Sequence, residues 1–381
     1  MMRCLGRLLL VLGCAAAGAA PLPPGAAGDG FTAVLGPREF HFPQDHGPHP
    51  AYRQEWWYFT GHLAADSGER FGFEVTFFRF ALAPPAPAAA HASAWRAREL
   101  VMAHFAVSDL KEGRFAAQSR LGRVALGLAG TADEPLKVWI DDWQLAAEAG
   151  GGVRWHLSAT QPGYSLELGL TTDAAPVLQG EQGFSRKSPS PGDASYYYSL
   201  PRLAVRGQLR RGERTFAVQG IAWCDREWGS GGLGAQQEGW DWFGLQLDDG
   251  SALMFYALRR RGGARDPLSA GSFVDAEGRV RPLASAQVQI EVEERHRSRA
   301  GTFYPARWHL TVPSLALDVQ VRPELAEQEL DTTPRYWEGA VAISGRQGAR
   351  AVGGVGYVEL TGYAQERPLP PATSPDPRLG R

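Results

Sequence analysis

Residues 221–243 read IAWCDREWGSGGLGAQQEGWDWF, and the fold turns on how this stretch is understood. Asp225, Arg226, Glu227, Glu238 and Asp241 stand among Trp223, Trp228, Trp240 and Trp242, with a glycine-rich run at 229–234 between the two halves. Large aromatic rings are costly to leave in water, and charges are costly to bury unpaired. A plain loop therefore has little use for the tryptophans, and a plain core has little use for the charges. A pocket wall accommodates both. The alternative is a pair of amphipathic strands joined by a loop salt bridge, because aromatic strands are common in all-β cores. In extended backbone Trp223, Asp225 and Glu227 share one face.

Working outward, aromatic and β-branched runs recur at 54–63, 71–80, 101–108, 138–146, 155–170, 203–223, 253–258, 308–312 and 336–363. Turn residues separate them at roughly eight- to twelve-residue spacing, the rhythm of a sandwich or barrel and not of βαβ units. Asp249-Gly250 is a type I′ hairpin signal between strands at 243–247 and 253–258, and 323–330 is the best helical candidate. The run 180–201 breaks the rhythm and reads as the crossing between domains, with a functional loop at its start. This predicts an all-β chain with two domains, 31–202 and 203–366, followed by a disordered tail at 367–381. Glu55-Trp56-Trp57-Tyr58-Phe59-Thr60-Gly61 and Glu238-Gly239-Trp240-Asp241-Trp242-Phe243-Gly244 share acid, tryptophan and glycine at equal offsets. Such an echo suits two halves of like architecture.

The N-terminus reads as a targeting segment, 1–20, with basic Arg3 and Arg7, an apolar run at 8–12 and small residues at 13–20. Val11-Leu12-Gly13-Cys14 resembles a lipobox, which makes Cys14 a lipidation site; cleavage near Ala19 or Ala20 and a misread start are the alternatives. A Pro/Gly/Ala linker follows at 21–30. The expectation is an exported, periplasmic lipoprotein that meets the membrane only through its lipid anchor. Past the leader only Cys224 remains, so no disulfide is expected within the chain. A formal net charge of -2 leaves no footprint for nucleic acid.

The blocks FPQDHGPHPAYRQEWWYFTGHL, MAHFAVSDL, SRKSPSP, SYYYSLPRL, GIAWCDREWGS, GWDWFGLQLDDG, YWEGAV and GYVELTGY occur in this order between about residues 38 and 365. Together they resemble the AttH / carotenoid 1,2-hydratase-like (CrtC-like) family of lipocalin-like proteins. The resemblance implies two lipocalin-like antiparallel β-barrel or sandwich domains packed side by side. It also implies relatives that hydrate isoprenoid and carotenoid double bonds, others of pericyclase type, and exported members without an assigned activity. In the hydratases the motif matching Trp223 to Trp228 carries an acid aspartate with a neighbouring histidine. Asp225 aligns with that acid, whereas Arg226 and Glu227 replace the histidine and a smaller polar residue.

Hydrating an isolated alkene means protonating carbon, which calls for a carboxylic acid kept neutral by desolvation and for aromatic faces beside the cation. Asp225, Asp241 and Glu227 are the candidate acids. Glu55, Trp56, Trp57, Tyr58, His104, Lys187, Tyr198, Trp223, Arg226, Trp228, Trp240 and Trp242 are candidate ligand-binding residues. Against this stands a structural network in which Arg226 neutralises the acids at the domain junction. Asp45, His46 and His49, with His104, invite a metal reading, but their Gly/Pro context favours an ordered turn; no metal and no cofactor is assigned. Ser185-Arg186-Lys187 with Tyr198 invites a Ser–Lys or Tyr–Lys reading, against an inter-domain loop with solvated cations. The leading expectation is a hydratase or isomerase for a hydrophobic, isoprenoid-like substrate. The rival is a carrier of a hydrophobic small molecule or lipid, working beside an envelope ABC transporter.

Overall fold

The computed structural model describes residues 30–85, 97–148 and 152–364. The leader with Cys14, the linker before Gly30 and the tail from 367 lie outside the described residues. Two antiparallel sheets carry the regular structure of the described residues apart from three single-turn 3-10 helices. The first contains β1 (Gln54–Ala65), β2 (Arg70–Ala81), β3 (Glu99–Asp109), β4 (Arg114–Arg123), β5 (Ala129–Asp133), β6 (Leu136–Ile140) and β7 (Trp143–Ala147). It continues through β8 (Val153–Gln161), β9 (Tyr164–Thr172), β10 (Val177–Leu178), β11 (Phe184–Arg186), β12 (Ala194–Arg211) and β13 (Arg214–Gly229). The second contains β14 (Gln237–Leu247), β15 (Ala252–Arg260), β16 (Ala270–Val274), β17 (Val280–Ala284) and β18 (Gln289–Arg297). It ends with β19 (Phe303–Val312), β20 (Leu317–Pro323), β21 (Glu329–Leu330), β22 (Tyr336–Gln347) and β23 (Arg350–Leu360).

The strand orders are β4-β3-β2-β1-β13-β12-β9-β8-β7-β6-β5 and β17-β16-β15-β14-β23-β22-β20-β19-β18. In each sheet the first strand lies between the second and the last, so both halves curl on one plan. Arg120 of β4 donates to the carbonyls of Ile140 and Thr160, both at 3.4 Å, and so fastens one edge of the first sheet across to β6 and β8. Closing the sheet on itself removes most of the exposed edge.

Parity along each strand decides which core a side chain joins. On β1, β2 and β3 the inward set is Trp57, Phe59, Phe73, Val75, Phe77, Ala103 and Phe105, which belongs to the core of the first sheet. The alternate positions Tyr58, Thr76 and His104 point the other way and are just as buried. The second sheet covers them. Tyr58 Oη donates to Glu338 at 2.7 Å, Ser108 to Gln328 at 2.6 Å, and Gln246 Nε2 to the carbonyl of Pro201 at 2.6 Å. Gly72 lies where the sheets touch: a Cβ there would come within 2.8 Å of Ala340 Cβ.

Three expectations are corrected. The boundary at 202/203 falls inside β12, which pairs with β13 and β9, and the chain crosses between sheets at 230–236 instead. Pro201, which lacks a donor and reads as a strand end, sits at the ladder irregularity between Leu200 and Leu203. The run 180–201 is therefore no crossing. Residues 323–330 form no helix, because Pro323 closes β20 and Glu329–Leu330 pair with β22. The hairpin at Asp249-Gly250 joins β14 to β15 where expected, but Gly250 has a positive φ of 95° and Asp249 does not, so the turn is not type I′.

Candidate active site

A cavity of about 450 Å3 lies between the two sheets. Its wall on the first sheet is built from alternate residues: Trp56 and Tyr58 of β1, Phe78 and Phe80 of β2, Met102 and His104 of β3, Tyr197 of β12, and Asp225 and Glu227 of β13. Facing them are Trp240 and Trp242 of β14, Tyr256 and Leu258 of β15, Tyr336 of β22 and Glu359 of β23. Lys187, Glu238 and the glycines at 229, 231 and 232 also line it. The glycine-rich run is thus both the crossing between sheets and part of the cavity wall.

Asp225 accepts three hydrogen bonds, from Tyr197 Oη at 2.5 Å, Ser199 Oγ at 2.6 Å and Trp223 Nε1 at 2.7 Å. Each favours the carboxylate, by roughly 1.5–3 kcal/mol for a bond to a charged group. Burial outweighs them and pushes the Asp225 carboxyl up to about 7. Among the described residues no cation lies within ion-pair distance of it. Glu227 behaves differently: Lys187 Nζ lies 2.9 Å from its Oε1, and Ser195 Oγ donates to the same oxygen at 2.5 Å. Burial pulls the Lys187 ammonium down, but Glu227, with Tyr256 and Asp225, outweighs it and holds the ammonium above its ordinary range.

Arg226 lies between these acids in sequence and on the opposite face in space. Its guanidinium donates to Glu55 at 2.6 Å and to the carbonyls of Trp56 (2.9 Å) and His46 (3.3 Å), and stacks over Trp57 at 3.7 Å. Arg79 donates to Glu55 from the other side. Burial pushes the Glu55 carboxyl up, but Arg226, His49 and Arg79 together hold it well below the ordinary carboxylate range. Arg226 therefore neutralises Glu55 and leaves Asp225 alone.

The predicted residues divide by this parity. Asp225, Glu227, Trp56, Tyr58, His104, Lys187, Trp240 and Trp242 line the cavity. Trp223 is buried between the sheets and supports Asp225 through its indole N–H. Glu55, Trp57, Tyr198, Arg226 and Trp228 belong to the inside of the first barrel and touch no part of the cavity, a correction of one residue's parity in each case. Trp228 stacks on His49 at 3.7 Å, and Tyr198 Oη meets His46 Nδ1 at 2.6 Å. Asp241 is corrected likewise: it faces Arg259 at 2.9 Å and Tyr363 at 3.0 Å, away from the cavity. Its carboxyl is pushed up to about 6 by burial.

His104 donates to or accepts from Tyr336 Oη at 2.8 Å, while its Nε2 has no partner among the described residues. Burial holds its imidazole down at about 4, so it is neutral at pH 7. Asp45 and His49 meet Arg38, Glu55 and Arg226, and no group of three or more His, Cys, Asp or Glu side chains among the described residues is arranged to hold a metal. Lys187 is not a solvated cation, and its aromatic neighbours are Tyr256 and Tyr197, not Tyr198.

Sequence reasoning missed Tyr197, Ser199, Tyr256 and Glu359. Glu359 lines the cavity, accepts from Trp240 Nε1 at 2.9 Å and is pushed up to about 7 by burial. Tyr197 was within reach: if Asp225 faces the pocket, the strand paired with it must present alternate residues of the Tyr196-Tyr197-Tyr198 run. The register Ser199↔Asp225 settles which, and no local signal encodes it.

The AttH-like family profile matches residues 33–363. The chain belongs to the AttH-like family. A crystal structure of an AttH from Nitrosomonas europaea is 35% identical, covers 88% of this chain and 100% of its own, and superposes with a TM-score of 0.77. Kievitone hydratase from Nectria haematococca shares the fold at 14% identity and a TM-score of 0.66, over 89% of this AttH-like chain and 97% of its own. The dehydratase asqC of Emericella nidulans is 23% identical over 220 residues, 54% of this chain and 60% of that protein, so the match spans less than two thirds of the relative.

Proposed function

We propose that this AttH-like protein is a hydro-lyase-type enzyme that adds water to, removes it from, or isomerises an apolar, isoprenoid-like substrate held between the sheets. The observation that carries the reading is Asp225: a carboxyl protonated in part at neutral pH, set in an aromatic wall, with the neighbouring arginine on the far face. The hydratase and dehydratase names among its relatives support the reaction class.

In the forward direction Asp225 gives its proton to one alkene carbon and becomes the carboxylate. The π faces of Trp56, Trp240 and Trp242 steady the cation formed on the other carbon. Water adds there, and its surplus proton returns to Asp225. Tyr197, Ser199 and Trp223 stabilise the transient carboxylate, so the same three bonds that resist protonation ease the transfer. Isomerisation follows when a carbon proton leaves in place of water's addition.

The test is native mass spectrometry of the protein from its own cells, followed by turnover of the released compound in D2O. Wild type should install one carbon-bound deuterium where it hydrates or isomerises the compound, or lose one water where it dehydrates it, and Asp225→Asn should lose at least ~100-fold in rate while still binding. If Asp225→Asn turns over normally, another group delivers the proton; if the compound is bound and never converted, the carrier reading replaces the enzyme, with an envelope ABC transporter as its proposed partner. The apolar lining of the cavity would serve either role. Export is proposed from the leader and anchoring from Cys14; the intact mass of the mature chain separates a lipidated Cys14 from a cut near Ala20.

A further inference from the structure

Lys187 is the one cation that lines the cavity among the described residues, and an apolar ligand alone has no use for it. Two of its three N–H donors are engaged, by Glu227 Oε1 at 2.9 Å and Ser185 Oγ at 3.1 Å. The ammonium lies 4.7 Å from the ring centre of Tyr256 and 5.4 Å from that of Tyr197, so aromatic faces flank it. Its side chain is only 15% exposed. A donor left without an acceptor in such a place is costly, whereas an acceptor on the ligand satisfies it. Resting on the reading of this cavity given above, we propose that Lys187 recognises a neutral carbonyl oxygen on the substrate, which is therefore an oxygenated isoprenoid-like molecule and not a hydrocarbon.

Charge selects the neutral acceptor. Glu227 already shares this ammonium, and Asp225, Glu238 and Glu359 line the same space. A ligand carboxylate would meet one shared cation and four carboxyl groups. A ketone or ester oxygen accepts the free N–H without that repulsion. Ser185 cannot turn the pair into a nucleophilic site, because the lysine beside it keeps its proton and Ser185 is bonded to Tyr256 at 3.0 Å.

The experiment uses the full chain and three matched probes: geranylacetone, the hydrocarbon of the same skeleton, and the corresponding acid. Binding is read by quenching of tryptophan fluorescence. The ketone should bind at least ~100-fold more tightly than the hydrocarbon, and the acid no better than the hydrocarbon. Lys187→Met should erase the ketone's advantage and leave hydrocarbon affinity in place; Lys187→Met/Glu227→Gln does the same without stranding a buried carboxylate. In wild type the infrared band of a 13C-labelled carbonyl should move to lower wavenumber on binding, a readout that needs no variant. Equal binding of ketone and hydrocarbon, an unmoved band, or a preference that survives both variants overturns the carbonyl subsite while the Asp225 chemistry stands. A protein that binds none of the three overturns both.

Discussion

The two sheets share a strand order and differ in what their last strands carry. In the first sheet Asp225 on β13 pairs with Tyr58 on one side and Ser199 on the other. In the second, Glu359 on β23 pairs with Trp242 and Glu338. Setting Glu359 against Asp225 sets Leu360 against Arg226. Leu360 joins an apolar core, whereas Arg226 is tied to Glu55 and to the carbonyls of His46 and Gly47 in the segment before β1. At this level the second barrel combines apolar packing with a single ion pair, Asp241–Arg259, on the strands beside Leu360, whereas the first has a fully buried two-arginine network around Glu55 behind its cavity-facing acids. That network pins the backbone of β13 from inside, so Asp225 and Glu227 stand at fixed positions on its outer face. If Asp225 acts as proposed, this asymmetry is why the first sheet supplies the chemistry and the second mainly encloses it.

The strongest way to break the comparison is to make the first sheet like the second. Arg226→Leu leaves Glu55 buried with Arg79 as its remaining arginine partner and should cost up to about 3 kcal/mol of stability, read from urea unfolding. Glu55→Gln/Arg226→Leu should recover part of that loss. If Arg226→Leu unfolds at the wild-type midpoint, the ionic network does not hold β13 and the asymmetry means little.

A second contrast concerns the acids trapped where the sheets meet. Burial pushes Glu74 of the first sheet up to about 8, and it drives Glu338 of the second well above its ordinary range, with Glu359 and Glu74 adding repulsion. The folded protein keeps the Glu74 proton up to about pH 8, whereas the unfolded chain releases it near 4.5. The native state thus binds more protons across this window, so stability falls as pH rises. His46 and His104, held down at about 4, oppose the trend only below their ordinary 6.5. Between pH 6.5 and 8 the melting temperature should therefore drop. Glu74→Gln should remove about 1.4 kcal/mol per pH unit of that slope. A slope unchanged in Glu74→Gln would mean that Glu74 is ionised in the fold.

How much of this was legible follows from parity. The β class, the hairpins and the aromatic pocket wall could be read because strand periodicity and turn residues are local signals. Trp223, Asp225 and Glu227 on one face was correct, since period two needs no tertiary knowledge. What failed was the side of the sheet: Trp57 and Trp56 are equivalent in composition, and only the presence of a second sheet over Trp56 makes it a cavity residue. The echo between 55–61 and 238–244 shows the same limit. It aligns Trp57 with Trp240, yet Trp57 faces the first core and Trp240 the cavity. By face, Trp56 and Tyr58 match Trp240 and Trp242, one residue out of step with the letters. Long two-sided burial was the hint available: the N-terminal half of β12 and the C-terminal half of β13 lose the polar alternation that their other halves keep.

A smaller effect sharpens the division of labour between the two acids. Glu359→Gln should lower turnover by no more than about tenfold, against the at least ~100-fold loss of Asp225→Asn. Equal losses would make the two sheets partners in the chemistry.

The last test bears on Asp225 most directly. A reaction that needs its proton should lose kcat/KM tenfold per pH unit above about 7, where the carboxyl ionises. Trp223 lines no part of the cavity, but its indole donates to Asp225 Oδ1 at 2.7 Å and so favours the carboxylate. Trp223→Phe removes that donor and keeps most of the ring, so the Asp225 carboxyl should hold its proton to higher pH. The alkaline limb of the profile should move up by roughly one to two pH units, the worth of one charge-assisted bond. A change in stability alone would lower activity at every pH and leave the limb in place. If the limb stays where it is while Trp223→Phe remains folded, some group other than Asp225 delivers the proton.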